Sequence, residues 1–370
     1  MWHADILSPL EEGSTGSKFS SPIFVARADH AQRGRAPRAL VDSHSAPPPT
    51  VWRQSPSAAM SAGAGTSTLH ERCVLQGHKG SVNVVRFNHD GKYCLTGGDD
   101  RRVLLWNPYK DPGEEVAPIK EYAIHSKQVL DVAVAGDNAS FASCGGDKTV
   151  FVWDVGSGRV LRRLVGHDQR VNALAYAGTD CSVLISASYD KTVRCWDCRS
   201  RNAAPIQVLA DHADSVSSVA VCGHEIVTGS IDGCVRAYDL RVGKVTCDRL
   251  GQAVTHVTLS HDSNCVLAGC LDARLRLLDK SSGQLLNEYA GHENSQYKLG
   301  CCLSHDDALV LCGSEEGSLH VWDLVEAKQV LKLSAHRRAV GMVCCHPTRH
   351  DVLTASHDGT AKLWTADPPA

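Results

Sequence analysis

Several features that would assign this chain to a particular class are scarce or missing. Only 5 of its 370 residues are Phe and 3 are Met, and the formal net charge is −3. No apolar run reaches the roughly eighteen residues of a membrane-spanning helix. The near-neutral net charge also argues against wholesale binding to nucleic acid or an acidic membrane, which requires a basic surface. The N-terminus, MWHADILSPLEEGST, lacks the charge and hydrophobicity of a secretory signal. We therefore expect an intracellular protein that binds neither membranes nor nucleic acid directly.

Glycine and cysteine are abundant by contrast, at 31 and 16 residues. The glycines indicate many turns. The cysteines stand inside apolar runs such as CVLAGC, so we interpret them as reduced, buried thiols. Cys195 and Cys198 form a C-x-x-C pair, but a zinc or redox site would need a second pair or a βαβ context. With no phosphate-binding loop or zinc-protease motif either, we expect no cofactor, no metal and no enzymatic activity.

The two ends of the chain differ from its middle. Residues 1–68 are rich in Ser, Ala, Pro, Gly and Arg and have no sustained apolar period, so a disordered extension is predicted. Met60 is an alternative start, which leaves open whether residues 1–59 matter. Residues 367–370 are interpreted as a short tail.

From residue 69 the chain repeats itself at intervals of 40 to 47 residues. An aromatic or apolar residue, usually followed by Asp, recurs seven times, and an acidic residue stands six positions before each one. The seven positions are Trp106, Trp153, Trp196, Tyr238, Leu278, Trp322 and Trp364. Six of the seven repeats also begin with a His; the fifth has Gly251-Gln252 instead.

Apolar and polar residues alternate between these markers, as in SVNVVRF and KTVRCWD, which predicts short antiparallel strands. A unit of this length with four strands is one blade of a β-propeller. The chain thus resembles the WD-repeat family, and seven repeats over residues 69–366 imply an all-β, seven-bladed WD-repeat propeller. Because the chain ends after the third strand of its last repeat, Glu71–Gln76 is predicted to complete that blade and close the ring.

The His, Ser, acid and aromatic residues of the repeats have the composition of a catalytic triad but recur in most blades. A nucleophile is needed once, beside an oxyanion hole, so we predict a structural chain of hydrogen bonds instead. Gly98 and Gly145 replace the Ser in repeats one and two. The predicted members are His167, Ser188, Asp190 and Trp196; His212, Ser230, Asp232 and Tyr238; His292, Ser314, Glu316 and Trp322; and His336, Ser356, Asp358 and Trp364.

The resemblance also implies a protein-binding surface on the top face of the propeller, next to each marker His and acid. Exposed aromatic and aliphatic groups there are typical anchors of protein interfaces, and Tyr189, Ile231, Leu271 and Tyr297 are the foremost candidates. The full set is Asn83, Asp99, Leu130, Arg170, Asn172, Tyr189, Ile231, Leu271, Tyr297, Glu315 and His357.

Segments such as SYDKTVRCWDCRSR and YKLGCCLS are similar to those of WD-repeat organisers of mitogen-activated protein kinases. That resemblance implies a monomeric scaffold within larger complexes of cytoplasm and nucleus. Its implied partners are members of an extracellular-signal-regulated kinase cascade, a prolyl hydroxylase of hypoxia signalling, and spliceosomal proteins. Two alternatives stay open: a subunit of splicing complexes, and a substrate receptor of a cullin-4 ubiquitin ligase. The latter rests on the W-D-x-R pattern of Trp196–Arg199.

Overall fold

The structure is a computed structural model that describes residues 69–110, 116–178 and 180–366. These residues form strands and turns, and among them no helix is long and apolar enough to cross a membrane. The predicted disorder of residues 1–68, the alternative start at Met60 and the tail at residues 367–370 lie outside the described residues.

Seven four-stranded antiparallel sheets confirm the predicted seven-bladed propeller. Each sheet is one blade, numbered here in chain order. In six blades the four strands follow one another along the chain, and turns of a few residues make most of the connections between them. The first three blades are formed by β2 (Val82–Phe87), β3 (Cys94–Gly98), β4 (Arg102–Trp106) and β5 (Lys120–Ala123); β6 (Val129–Val134), β7 (Ser140–Gly145), β8 (Thr149–Asp154) and β9 (Val160–Val165); and β10 (Val171–Ala177), β11 (Val183–Ser188), β12 (Val193–Asp197) and β13 (Gln207–Leu209).

The next three blades have the same order, and the fifth keeps all four strands although it lacks the marker His and Trp. They are formed by β14 (Val216–Cys222), β15 (Glu225–Ser230), β16 (Cys234–Asp239) and β17 (Lys244–Arg249); β18 (Val254–Leu259), β19 (Cys265–Cys270), β20 (Arg274–Asp279) and β21 (Leu285–Ala290); and β22 (Cys301–Leu303), β23 (Leu309–Gly313), β24 (Ser318–Asp323) and β25 (Gln329–Ser334).

Blade seven joins the two ends of the propeller. It contains β26 (Val340–Cys345), β27 (Val352–Ser356) and β28 (Thr360–Ala366), and its fourth strand is β1 (Leu69–Gln76). β1 pairs antiparallel with β28 from Leu69 opposite Ala366 to Gln76 opposite Thr360. The predicted closure is therefore confirmed, and the closing strand begins two residues earlier than expected.

The core lies between neighbouring blades. One cluster joins Val150 and Leu164 of blade two to Val171, Leu184 and Trp196 of blade three. Small and β-branched residues such as Val150 and Val171 fit here because the innermost strands crowd around a central channel. Each blade thus positions the next, and the loops at the two ends of the ring are fixed relative to one another.

Candidate protein-binding face

Four blades contain a complete hydrogen-bonded chain beneath the top face, where strand two turns into strand three. In blade three the Trp196 indole donates to Ser186 Oγ at 2.8 Å, and Ser186 Oγ is 2.7 Å from His167 Nε2. His167 Nδ1 lies 2.7 Å from Asp190 Oδ2. Blades one, two and seven have the equivalent chains His78–Thr96–Asp100–Trp106, His125–Ser143–Asp147–Trp153 and His336–Thr354–Asp358–Trp364.

The carboxylate at the end of each chain joins two loops of the top face. Asp190 accepts from the backbone N–H groups of Asp168 and Thr192 and from the Thr192 hydroxyl. Burial alone would raise the pKa of Asp190, but the hydrogen bonds from His167 and Thr192 outweigh it and hold that pKa below its ordinary value. The carboxylate therefore stays ionised and fixes the loop before β10 to the turn after β11.

The predicted chain is right in kind, but the predicted hydroxyls are wrong. The bonded hydroxyl lies two residues before the predicted one, at Ser186 rather than Ser188 and at Thr354 rather than Ser356. Residues two apart share one face of a strand, so alternation could not distinguish them. The pairing of β11 with β12 determines which hydroxyl the Trp196 indole contacts, and this is the hydroxyl of Ser186.

The hydroxyl at the predicted position, two residues further along the strand, makes different hydrogen bonds. Ser188 Oγ donates to the Arg170 carbonyl at 2.9 Å and accepts from the Asp190 N–H, and Ser230 and Ser356 make equivalent bonds. In blades one and two the loop backbone lies too close for a side chain. A Cβ on Gly145 would stand 2.0 Å from the Gln128 carbonyl oxygen, and one on Gly98 would stand 2.7 Å from that of Ser81. These blades therefore keep glycine there and still have a complete chain, although their residues were not among the predicted members.

The chain is incomplete in blade four. Asp232 pairs with Arg236 at 2.9 Å, and His212 Nε2 lies 3.0 Å from the Thr228 hydroxyl in place of the predicted Ser230. Burial, reinforced by repulsion from Arg236, lowers the pKa of His212 to about 4.

The predicted chain is absent from blade six. Neither ring nitrogen of His292 has a hydrogen-bond partner within the described part of the chain. Glu316 bonds to Ser318 and His320, and the Trp322 indole donates to a backbone carbonyl. Ser314 instead accepts from the Glu293 N–H. His320, which follows Glu316 by four residues, draws the carboxylate away from the marker His.

On the top face, Arg170 and Tyr189, two residues of the predicted binding surface, lie side by side. The Arg170 guanidinium lies over the Tyr189 ring, 4.7 Å from its centroid, and the tyrosine is 47% exposed. The two residues line a groove between blades two and three together with Lys127 and Lys148. This part of the rim thus combines an exposed aromatic ring with three cationic side chains.

Six of the predicted residues meet at the top of the central channel, around a cavity of about 280 Å³. Tyr297 is 41% exposed and its ring contacts the edge of His357, with 4.9 Å between the centroids. The six are Asn83, Leu130, Arg170, Asn172, Tyr297 and His357.

The prediction missed the charged residues that line the channel below this mouth. Arg86 lies 3.4 Å from Asp131, and the pKa of Arg86 rises because that carboxylate outweighs the effect of burial. The ammonium group of Lys298 crosses the channel to the Asn172 carbonyl, 2.9 Å away, and burial lowers the pKa of Lys298. Arg86 and Asp131 are the charged residues of innermost strands β2 and β6, whose other residues are uncharged, and this is a signal that could have identified them.

The remaining predicted positions have separate environments. Asn172 is buried and its amide donates to Ser215 and Val216 of blade four, so its side chain links two blades instead of facing a partner. Glu315 accepts from the backbone N–H groups of residues 295–297 and supports the loop that carries Tyr297.

Asn83 donates to Asp99, at the rim, and to a backbone carbonyl of the next blade. Of the two aliphatic candidates, Ile231 is 36% exposed and Leu271 is partly buried. The structure therefore brings together the positions near the channel but leaves these two on separate blades.

Two further motifs lie away from the top face. Arg199 of the W-D-x-R pattern has a side chain that is 70% exposed, 3.4 Å from Asp197, and Arg241 has a similar position in blade four. Cys195 is buried and Cys198 half-buried, and burial raises the pKa of both thiols to about 11. All sixteen cysteines are free thiols.

Comparison with known proteins agrees with this architecture. The family model described as "WD domain, G-beta repeat" matches residues 70–107, 117–154, 158–197, 203–239, 283–323 and 327–365. It does not match the segment that contains most of blade five, where the His and Trp are missing.

Similar curated proteins cover most of the propeller. The rat WD repeat domain-containing protein 83 is 46% identical over 286 residues, which are 77% of this chain and 89% of that protein. A Dictyostelium discoideum homologue of protein 83 is 32% identical over 320 residues, 79% of this chain and 96% of its own length. An uncharacterized WD repeat-containing protein of Schizosaccharomyces pombe is 41% identical over 287 residues, 77% and 95% of the two chains.

Proposed function

The chain belongs to the WD-repeat family, and from this premise we propose that it is a scaffold whose top face binds partner proteins around the channel mouth. The observation that supports this proposal best is the convergence of exposed aromatic and charged side chains at that mouth. Tyr189 with Arg170 lies on one side and Tyr297 with His357 on the other. A rigid ring that presents such anchors suits a protein that assembles others.

The charge of the face indicates what kind of segment it would bind. Lys127, Lys148 and Arg170 surround the groove beside Tyr189, and Lys298 projects into the channel. An extended segment with acidic residues next to an apolar or aromatic anchor would complement this surface. Such a segment would extend across the top face from the groove between blades two and three to Tyr297 of blade six.

We propose an extracellular-signal-regulated kinase cascade as the source of these partners, with a role in hypoxia signalling through a prolyl hydroxylase as an extension. The support is the similarity of the quoted segments to WD-repeat kinase organisers. A scaffold of this kind would act in the cytoplasm and nucleus, as a monomer within larger complexes.

The test is a pair of tyrosine variants of the full chain. Tyr189→Ala should weaken a top-face partner by about 2 kcal/mol or more, because a buried aromatic anchor is lost from the interface. The change should alter stability by only about 0.5 kcal/mol, since the ring is exposed in the free protein. Affinity can be measured by titration of a purified kinase-cascade partner, and stability by circular dichroism melting.

Tyr93 supplies the matched control. It is 40% exposed but precedes β3 at the opposite end of blade one, away from the top face. Tyr93→Ala should therefore leave affinity unchanged. Equal effects of the two variants on every recovered partner would move the binding surface away from blade three.

The two alternative functions predict different binding surfaces and different partners. A cullin-4 substrate receptor would use the side of the propeller, where the Arg199 side chain is 70% exposed and could contact an adaptor. Arg199→Ala should then abolish capture of the damaged-DNA-binding adaptor while Tyr189→Ala does not. A splicing subunit would instead co-purify with small-ribonucleoprotein proteins from nuclear extract. Mass spectrometry of partners captured from nuclear and cytosolic extracts separates the three functions.

A further inference from the structure

The face opposite the proposed binding surface contains a cluster of metal-ligating side chains. His305 and Asp306 lie in the turn between β22 and β23 of blade six, and His350 lies in the turn between β26 and β27 of blade seven. One donor atom from each residue comes within 4.8 Å of the other two. We propose that these three residues form a Zn²⁺ site with one coordination position left for water.

Blade five provides an internal comparison, because its turn has the same Ser-His-Asp sequence. Ser260 Oγ donates to Asp262 at 2.6 Å, and Ser304 Oγ donates to Asp306 at the same distance. The two turns therefore have the same local structure. They differ in the residue that the following blade places opposite the histidine.

In blade five that residue is a carboxylate. His261 Nδ1 lies 3.3 Å from Asp307, which also accepts from the His261 backbone N–H. In blade six a second imidazole faces the histidine, and the ring centroids of His305 and His350 are 4.4 Å apart. His305 Nδ1 is buried and has no hydrogen-bond partner among the described residues. A buried nitrogen of this kind is costly unless a proton donor or a metal ion satisfies it.

The donor set indicates which ion would bind. Two imidazoles with one carboxylate suit Zn²⁺, whereas Ca²⁺ and Mg²⁺ prefer oxygen ligands throughout. Ligand atoms around a tetrahedral zinc lie about 3.3 Å apart, given Zn–ligand distances of about 2.0–2.1 Å. His350 is exposed, so its side chain is free to move the short distance required toward Asp306 and His305.

The surroundings of the cluster are compatible with a cation. The neighbouring guanidinium of Arg349 is engaged elsewhere, 3.2 Å from Asp351 and stacked over the Tyr109 ring at 4.2 Å. Asp306 is held in place by Ser304, which supplies the outer hydrogen bond that metal-ligating carboxylates usually have.

The experiment is calorimetric titration of the full chain with ZnCl₂, using one variant from each turn. The parent should bind one equivalent that His350→Ala weakens at least tenfold, while His261→Ala binds as the parent does. Because His350 and His261 are both exposed, neither variant should alter the circular dichroism melt. Unchanged Zn²⁺ affinity in His350→Ala, or no binding by the parent, would overturn the proposal.

A second probe tests whether the ion is bound by this cluster or by cysteine thiolates. Cysteine is the relevant alternative because the sulfur atoms of Cys302 and Cys345 are only 3.3 Å apart. Co²⁺ bound by imidazole and carboxylate gives visible d–d bands without thiolate charge-transfer absorption in the near ultraviolet. Those bands should disappear in His350→Ala. Strong thiolate absorption that persists in this variant would place the ion on cysteine and refute the assignment.

Discussion

Replacement of Asp190 tests whether the hydrogen-bonded chains stabilise the propeller. Asp190→Ala removes the carboxylate that bonds to His167 Nδ1 and to the Thr192 hydroxyl, and it leaves the buried Nδ1 with only a long contact of 3.4 Å to that hydroxyl. One unsatisfied buried polar group costs about 1–3 kcal/mol, and the further lost bonds bring the expected total to about 3 kcal/mol.

The expected shift in melting temperature follows from this cost. An unfolding entropy of about 2.1 cal/mol/K per residue over roughly 300 residues converts 3 kcal/mol into about 5 °C. Differential scanning calorimetry and urea unfolding of the purified variant would both measure it.

Asp272 of blade five provides the control because it occupies the same position in a blade that has no marker His. Its carboxylate pairs with Arg276 at 2.6 Å, and Arg276 keeps a second partner in Glu288. Asp272→Ala should therefore cost only about 1 kcal/mol. If Asp190→Ala unfolds at the same temperature as Asp272→Ala, the chain does not stabilise the fold. Normal stability with loss of a single partner would instead give Asp190 a binding role.

Three more predictions concern stability. Deletion of residues 1–59 should leave the melting temperature unchanged, whereas deletion of residues 1–77 removes β1 and should lower it sharply; equal melting would refute the closure. Ser186→Ala should cost about 1–3 kcal/mol in urea unfolding, because the buried Trp196 indole loses its acceptor, and an effect below about 0.5 kcal/mol would contradict this. Burial, with repulsion from His320, lowers the pKa of His292 to about 4 in the folded state, below the ordinary value of about 6.5. The unfolded chain then binds the extra proton, so stability should fall from pH 6.5 toward pH 4, and His292→Leu should flatten that decline in urea midpoints.

The repeat length and the blade count could be predicted because the same markers recur along the sequence. The ring closure could be predicted because the last repeat has only three strands of its own. The spacing of Trp153, Trp196 and Tyr238 determines where strands end, and a chain that stops at the third strand of a blade needs an edge partner. Even blade five, where Leu278 replaces the aromatic residue, was located correctly, because strand alternation and the acid at Asp272 survive. Repetition thus compensates for the loss of individual markers.

The site was less predictable because its details depend on distances across strands and blades. Ser186 and Ser188 have the same type and the same strand face, so only the observed register assigns the network to Ser186. Lys298 reaches Asn172 from the other side of the ring, a contact between residues 126 positions apart that no local pattern encodes. The position of Tyr189 on the top face could be predicted because the turn that carries the tyrosine is fixed by Asp190.

The pairing of β1 with β28 has a consequence for how the protein is made. The strand at residues 69–76 leaves the ribosome long before its partner at residues 360–366, which is roughly 280 residues later. At a synthesis rate of about 5–20 residues per second, the delay is about 15–60 s. Throughout that time β1 has an unpaired edge and the ring has a gap, so the nascent chain can pair with other strands. Protection by chaperones during translation should therefore matter more for this protein than its final stability suggests.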